Sequence, residues 1–157
     1  MPDVRSRFDE LLRRLGEISD VEHAAYLLGW DQETKMPPLG APARAEQLAT
    51  LARIGHELGT APELGSLLEQ LRELEESSEP ESFEASVVRV ARRDYERKRR
   101  VPSELRAEMT RAASVGYAAW LEARAAADFE ILRPNLERRL ELTHEYVACF
   151  EPFDAGT

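Results

Sequence analysis

Apolar residues recur every three or four positions along most of the chain, the spacing that lines one face of an α-helix. The first series runs through Val4, Phe8, Leu11, Leu15 and Ile18. Later series with the same spacing begin at Val21, Ala45, Leu64, Phe83, Leu105 and Leu136. The sequence therefore predicts an all-α fold of six or seven mostly antiparallel helices in a bundle-like arrangement, forming one domain over residues 1–157.

Cap-forming residues suggest where these helices begin. Residues 19–22 read Ser-Asp-Val-Glu and residues 60–63 read Thr-Ala-Pro-Glu, and both resemble a capping box. We therefore expect a second helix to begin near Ser19, after Gly16 has weakened the end of the first. The helix before Gly59 and the helix after it should form an antiparallel hairpin.

Polar segments separate or follow the later helices. Residues 75–81 are acidic and contain serine, which predicts a mobile acidic loop, and residues 151–157 predict a loose tail. The helix after this loop carries many basic residues, but Asp94 and Glu96 interrupt them. We interpret this face as solvated or paired within the molecule rather than as a nucleic-acid site. The last apolar stripe, expected to face inward, contains Leu136, Leu140, Thr143, Val147 and Phe150.

Residues 27–48, with the sequence LLGWDQETKMPPLGAPARAEQL, differ most from the regular helical pattern. The consecutive prolines should stop one helix, and Pro42 is compatible with the first turn of the next. This corner contains Trp30, Asp31, Gln32, Glu33, Thr34, Arg44 and Gln47. It is either a binding corner or a structural one with Trp30 in the core, and the residue types favour the structural interpretation. We expect Arg44 to pair with Asp31 or Glu33 across the turn.

Hydrolytic metal chemistry requires several ligands that converge on one ion, as in a helical His-Glu-x-x-His motif. His23, His56 and His144 each lack a second histidine four residues later. The sequence therefore predicts no metal site and no catalytic residue in this chain. Cys149 is expected to be a small buried residue rather than an activated thiolate.

Charge and composition narrow the classes of partner. The formal net charge of -9 argues against a general affinity for nucleic acid or anionic membranes. No apolar run approaches the ~20 residues that span a bilayer, and the N-terminus lacks a signal-peptide core. With a single cysteine, which excludes an internal disulfide, these features predict a cytoplasmic protein.

Several segments together resemble the carboxypeptidase Taq family of zinc metallocarboxypeptidases. They are LLGWDQETKMPP followed by Arg44-x-x-Gln47-Leu48, then HELGTAPELGSLL at 56–68, RRDYERKRRVPSEL at 92–105, and the positions around Trp120, Asp128 and Pro134. The resemblance spans almost all of this chain and roughly the first third of a typical family member.

The resemblance implies an N-terminal helical region that flanks the active-site cleft and limits access to it. In the family, the zinc-binding and catalytic residues lie downstream of this region, so the chain should be inactive alone and bind no cofactor. Its expected partners are a missing catalytic portion or a second copy of the chain. A stand-alone interaction module derived from the family is the alternative, and an unrelated stress or scaffold bundle fits the long match least well.

Overall fold

A computed structural model describes residues 3–79 and 81–151, and these ranges contain α-helices and short 3-10 segments but no strand. The α-helices are α1 (Val4–Thr34), α2 (Ala41–Gly59), α3 (Pro62–Gln70), α4 (Arg72–Ser77), α5 (Phe83–Lys98), α6 (Ser103–Ala126) and α7 (Arg133–Ala148). Two 3-10 segments cover Pro38–Gly40 and Phe129–Ile131. The predicted all-α class is confirmed, although several of the helix boundaries differ from those predicted.

The prediction of a new helix near Ser19 is wrong, because α1 continues through this position for 31 residues. The hydroxyl of Ser19 lies 3.1 Å from Nδ1 of His23 within the helix. The carboxylate of Glu22 accepts a hydrogen bond from Lys98 at 3.2 Å instead of reaching back to a cap. Both side chains of the apparent capping box are therefore used in other contacts.

The second predicted capping box is also wrong. Thr60 donates its hydroxyl hydrogen to the carbonyl of His56 at 2.8 Å, so it closes α2 rather than capping α3. The next helix begins at Pro62 and breaks at Leu71, whose backbone leaves helical geometry while its side chain is fully buried. The predicted hairpin does not form, because α3 contacts α1 and α5, whereas α2 packs along α6 and α1.

Large apolar side chains build the core between the first half of α1, α3 and α5. Its buried members are Phe8, Leu11, Ile18, Leu64, Leu67, Leu68, Leu71, Val88 and Ala91. Phe83, the first residue of the apolar series predicted for α5, is 63% exposed, and its ring meets Phe8 edge-on with 6.1 Å between centroids. Most of the large side chains that are fully buried thus lie in this core.

The contact of α6 with α2 and α7 depends on smaller residues. Ala45, Ala49, Ala107 and Gly116 are buried there, and side chains this small allow helices to lie close together. The α7 stripe predicted to face inward is wrong, since 61% of Leu140 is exposed and Leu142 is the buried residue instead. The face of α7 toward α6 includes polar residues, and apolar spacing alone could not identify it.

The acidic and basic segments pair with each other. Residues 75–77 of the predicted acidic loop complete α4, and Glu75 forms a 2.7 Å ion pair with Arg92 on α5. Lys98 pairs with Glu22, which supports the interpretation of the basic face as internally paired. Mobility of the loop stays a prediction, and the expected loose tail lies outside the described residues from position 152 onward. None of the described helices combines the length and apolar character needed to cross a membrane.

Candidate functional site

The corner predicted from the sequence is a bend in which two prolines redirect the chain from α1 into α2. The carbonyl oxygen of Asp31 accepts backbone hydrogen bonds from both Lys35 and Met36, at 2.9 and 2.8 Å. The hydroxyl of Thr34 donates to the carbonyl of Trp30 at 2.7 Å. These contacts involve the carbonyl groups of the last turn of α1, at the point where the chain leaves the helix.

Arg44, on the first turns of α2, joins the two helices. Its guanidinium donates to Asp31 at 2.6 Å, to the carbonyl oxygen of Leu28, and to Gln47 Oε1 at 3.2 Å. The Arg44 side chain is only 12% exposed, so solvent screens the pair less than a surface ion pair. The ion pair between Arg44 and Asp31 that the sequence predicts is therefore present, while Glu33 has no such partner among the described residues.

A second polar contact joins α1 to α6. Gln32 donates to the carbonyl of Ser114 at 3.1 Å, and the Ser114 hydroxyl donates to Gln32 Oε1 at 2.9 Å. The contact spans 82 positions of sequence, so no local pattern could identify the partner. The only local signal was a serine among the alanines of α6, and Ser114 proves to be buried.

Trp30 is not the core residue that the structural interpretation assumed. Tyr26, Leu27 and Trp30 are 76%, 68% and 60% exposed, and we call them the apolar ridge of α1. The following 3-10 segment adds Leu39, which is 96% exposed. The polar residues of the corner fix the backbone, and the ridge is left without a covering element among the described residues.

A trough lies beside the ridge, between α1 and α6, with Leu48 of α2 on its wall. It consists of two adjoining grooves of about 440 and 630 Å³ that share Gly29, Glu33, Leu48 and Thr110. Tyr26 and Trp30 line one groove, and Tyr117 and Trp120 line the other. Trp30 and Glu33 were candidates from the sequence, whereas Thr110 and Tyr117 come from a distant helix and were not predicted.

Charged groups differ between the trough and its surroundings. Arg111 on α6 donates to both carboxylate oxygens of Glu46, which lowers the pKa of Glu46, and contacts with Glu46 and Glu108 raise the pKa of Arg111. Within the trough, Glu33 and Arg139 show no ion pair with any described residue. Glu33 and Arg139 therefore remain available to an occupant of the trough, as does Arg106, whereas Glu22 on the wall of the trough is paired with Lys98.

His56 lies deeper, where α2 meets the connection between α5 and α6. Its Nε2 donates to the carbonyl of Val101 at 2.7 Å, and the residue is 8% exposed. Burial is the main cause that lowers the pKa of this imidazole, and the positive charges of Lys98 and Arg106 act in the same direction. The ring is therefore a neutral structural donor near pH 7.

The described residues do not fit the zinc ion that the resemblance implies for a complete enzyme. No group of three or more histidine, cysteine, aspartate or glutamate side chains that could hold a metal comes together in the described part of the chain. His56 uses Nε2 to bind a backbone carbonyl, and His23 is engaged by Ser19. No hydrolytic step can therefore be assigned to these histidines.

Comparison with known proteins places this architecture in a family. The model of the carboxypeptidase Taq (M32) metallopeptidase family matches residues 10–155. Thermostable carboxypeptidase 1 of Thermus thermophilus is 36% identical over 88% of this chain, and its counterpart from Pyrococcus furiosus is 33% identical over 93%. The chain spans only 27% and 30% of the lengths of these two relatives.

A solved structure shows the same arrangement of helices. The crystal structure of BsuCP aligns with 91% of this chain at a TM-score of 0.84 and 25% sequence identity. The alignment covers 28% of the BsuCP chain. The family match and the fold match therefore agree on how much of a complete family member this chain represents.

Proposed function

This chain belongs to the carboxypeptidase Taq (M32) metallopeptidase family, and from this premise we propose that it is the cleft-flanking helical part of such an enzyme. We further propose that it does not hydrolyse peptides alone and that its partner is the catalytic portion of a family member. The relatives are named carboxypeptidases, but the chain spans less than a third of their length, so their activity enters only through this proposal.

The observation that carries the proposal is the apolar ridge. Three neighbouring large side chains that are 60% to 76% exposed are expensive to leave in water, and clustered apolar surface of this kind usually marks an interaction site. The ridge lies at the end of α1 that contributes no residue to the core. A remaining portion of the enzyme packed on this side would bury it.

The lack of a cluster of metal-binding side chains among the described residues supports the proposal that the chain alone is inactive. Catalytic zinc needs three protein ligands and an open position, and the described residues offer no such group. Incubating the chain with zinc or cobalt and a peptide substrate should release no C-terminal amino acid above the metal-only control. Metal-dependent release that survives repurification and is removed by a chelator would contradict the proposed inactivity.

The exposed ridge also favours a second candidate, a self-associating interaction module. Light scattering over a range of concentrations distinguishes the two, because a second copy that covers the ridge would produce a concentration-dependent dimer. The enzyme-part proposal predicts a monomer whose ridge binds an apolar fluorescent dye. Replacing Leu27 by Ser should weaken dye binding, whereas replacing Leu121 by Ser should not, since Leu121 is 47% exposed on α6 but lies outside the ridge and the trough.

A further inference from the structure

We propose that the trough between α1 and α6 holds an extended peptide segment, with a basic side chain of that peptide placed against Glu33. This inference rests on the proposed function, since it names what the cleft-flanking part would contact. It concerns internal residues of the peptide and does not depend on a metal centre.

The shape of the trough suits an elongated occupant. Two grooves adjoin through four shared residues, and an aromatic pair lies along each of them. A Cβ atom built on Gly29 would meet no heavy atom within 4 Å, so α1 leaves open space at the shared wall. An occupant could therefore pass from Trp30 to Trp120 without displacing a side chain at this point.

The charges favour a basic side chain at the centre. Glu33 lines both grooves and forms no ion pair with the described residues, whereas the nearby Asp31 is already bound by Arg44. The net charge of -9 would also attract a cationic peptide at long range. A lysine or arginine of the bound peptide placed here would form the ion pair that Glu33 lacks among the described residues.

Both ends of the trough carry a positive charge, opposite in sign to Glu33 at the centre. Arg106 lines the groove that contains Trp30, and Arg139 lines the groove that contains Trp120. Asn135, near Arg139, adds an amide that can donate to or accept from a peptide backbone. An extended peptide with one central cation and apolar neighbours therefore fits better than a uniformly basic or acidic one.

The test uses the intrinsic fluorescence of the intact chain. The sequence contains two tryptophans, and both line the trough, so an occupant should change their emission. The probe is a short peptide with blocked ends that carries one lysine flanked by leucines, titrated at low ionic strength. The control peptide has glutamate in place of lysine and should bind at least about fivefold more weakly.

Two variants separate the shape argument from the charge argument. Gly29→Leu should abolish binding by filling the shared wall, whereas Gly16→Leu should not, since it makes the same change at an open position elsewhere in α1. Glu33→Gln should weaken binding of the lysine peptide by about fivefold, and Glu63→Gln, which removes an equal charge from α3, should leave it unchanged. Circular dichroism of each variant confirms that it is folded.

Several results would overturn the inference. They are the absence of a fluorescence change at millimolar peptide, equal binding of the lysine and glutamate peptides, or unaltered binding by the Gly29→Leu variant. Tryptophan emission that changes on dilution without peptide would assign the trough to a second copy instead. These outcomes are distinct from metal-dependent hydrolysis by the chain, which contradicts the proposed function and leaves the peptide titration interpretable.

Discussion

The two halves of α1 belong to one continuous helix, but they are held in different ways. The first half contributes Phe8, Leu11 and Ile18 to the core, and these are the only α1 residues among those described that are buried. The second half is fixed by polar contacts, in which Arg44 and Ser114 hold residues 28 to 32. Three of its large side chains, Tyr26, Leu27 and Trp30, face solvent.

One half of α1 therefore contributes mainly to the stability of the fold, and the other half offers a surface for binding. Apolar burial in the first half of α1 contributes to the driving force for folding, in proportion to the area removed from water. Hydrogen bonds from Arg44 and Ser114 fix the direction of the second half of α1, and they bury little of its apolar surface. The ridge and the trough therefore remain available for a partner.

The largest expected effect comes from shortening matched leucines in the two halves. Leu11→Ala should lower the free energy of unfolding by about 2–5 kcal/mol, because Leu11 is fully buried and its removal leaves a cavity. Leu27→Ala should cost less than about 0.5 kcal/mol, because Leu27 is 68% exposed. Urea unfolding of both variants measures the difference. Similar losses would mean that the second half is as well packed as the first.

Removing the hydrogen bonds by which Arg44 joins α2 to α1 should have the next largest effect on stability. Arg44→Met leaves the Leu28 carbonyl and the Asp31 carboxylate without their donor, and the expected loss of stability is about 1–3 kcal/mol. Arg53→Met is the matched control, because Arg53 pairs with Glu57 on the exposed side of α2 and its loss should cost less than about 0.5 kcal/mol. Equal losses for the two variants would show that these hydrogen bonds contribute no more than a surface ion pair.

The sequence predicted the first half of α1 better than the second. Spacing places Phe8, Leu11 and Ile18 on one face because a helix that packs on a core must present an apolar stripe. The same reasoning placed the α7 stripe inward, which was wrong. The structural interpretation of the corner, favoured on residue types, put Trp30 in the core, but Trp30 is exposed. Periodicity identifies an apolar face, but it cannot tell whether an element within the chain covers that face.

Local polar motifs were reliable only where the partner was also local. The pair between Arg44 and Asp31 could be predicted because two prolines bring neighbouring helix ends together. The capping box at 19–22 failed because Glu22 is paired with Lys98, 76 positions away, and the helix continues. The trough combines residues from α1, α2, α6 and α7, so the sequence could supply its members but not their arrangement.

His56 provides a smaller, pH-dependent test of a buried polar contact, the one that joins α2 to the connection between α5 and α6. Its lowered pKa means that the folded state binds a proton less readily than the unfolded state. Stability should therefore fall as the pH drops below the ordinary histidine value of ~6.5, and level off below the lowered pKa. Urea unfolding between pH 7 and pH 5 measures this loss.

The matched control for this pH effect is His56→Gln, which keeps a side-chain donor for the carbonyl of Val101 but does not titrate. Its stability should change less with pH over the same interval, while carboxylate effects remain common to both proteins. An identical pH dependence in the two proteins would exclude His56 as the source.

The smallest expected effect tests whether the halves of α1 differ in packing alone. Gly16 and Gly29 lie in different halves, and a Cβ atom at either position meets no heavy atom within 4 Å. Replacing either by Ala should therefore raise the free energy of unfolding by about 0.5–1 kcal/mol through helix propensity. Urea unfolding should give similar gains for the two variants, because propensity acts wherever the backbone is helical. A gain at Gly16 without one at Gly29 would mean that the second half is only partly helical without its partner, and that the ridge is ordered by binding.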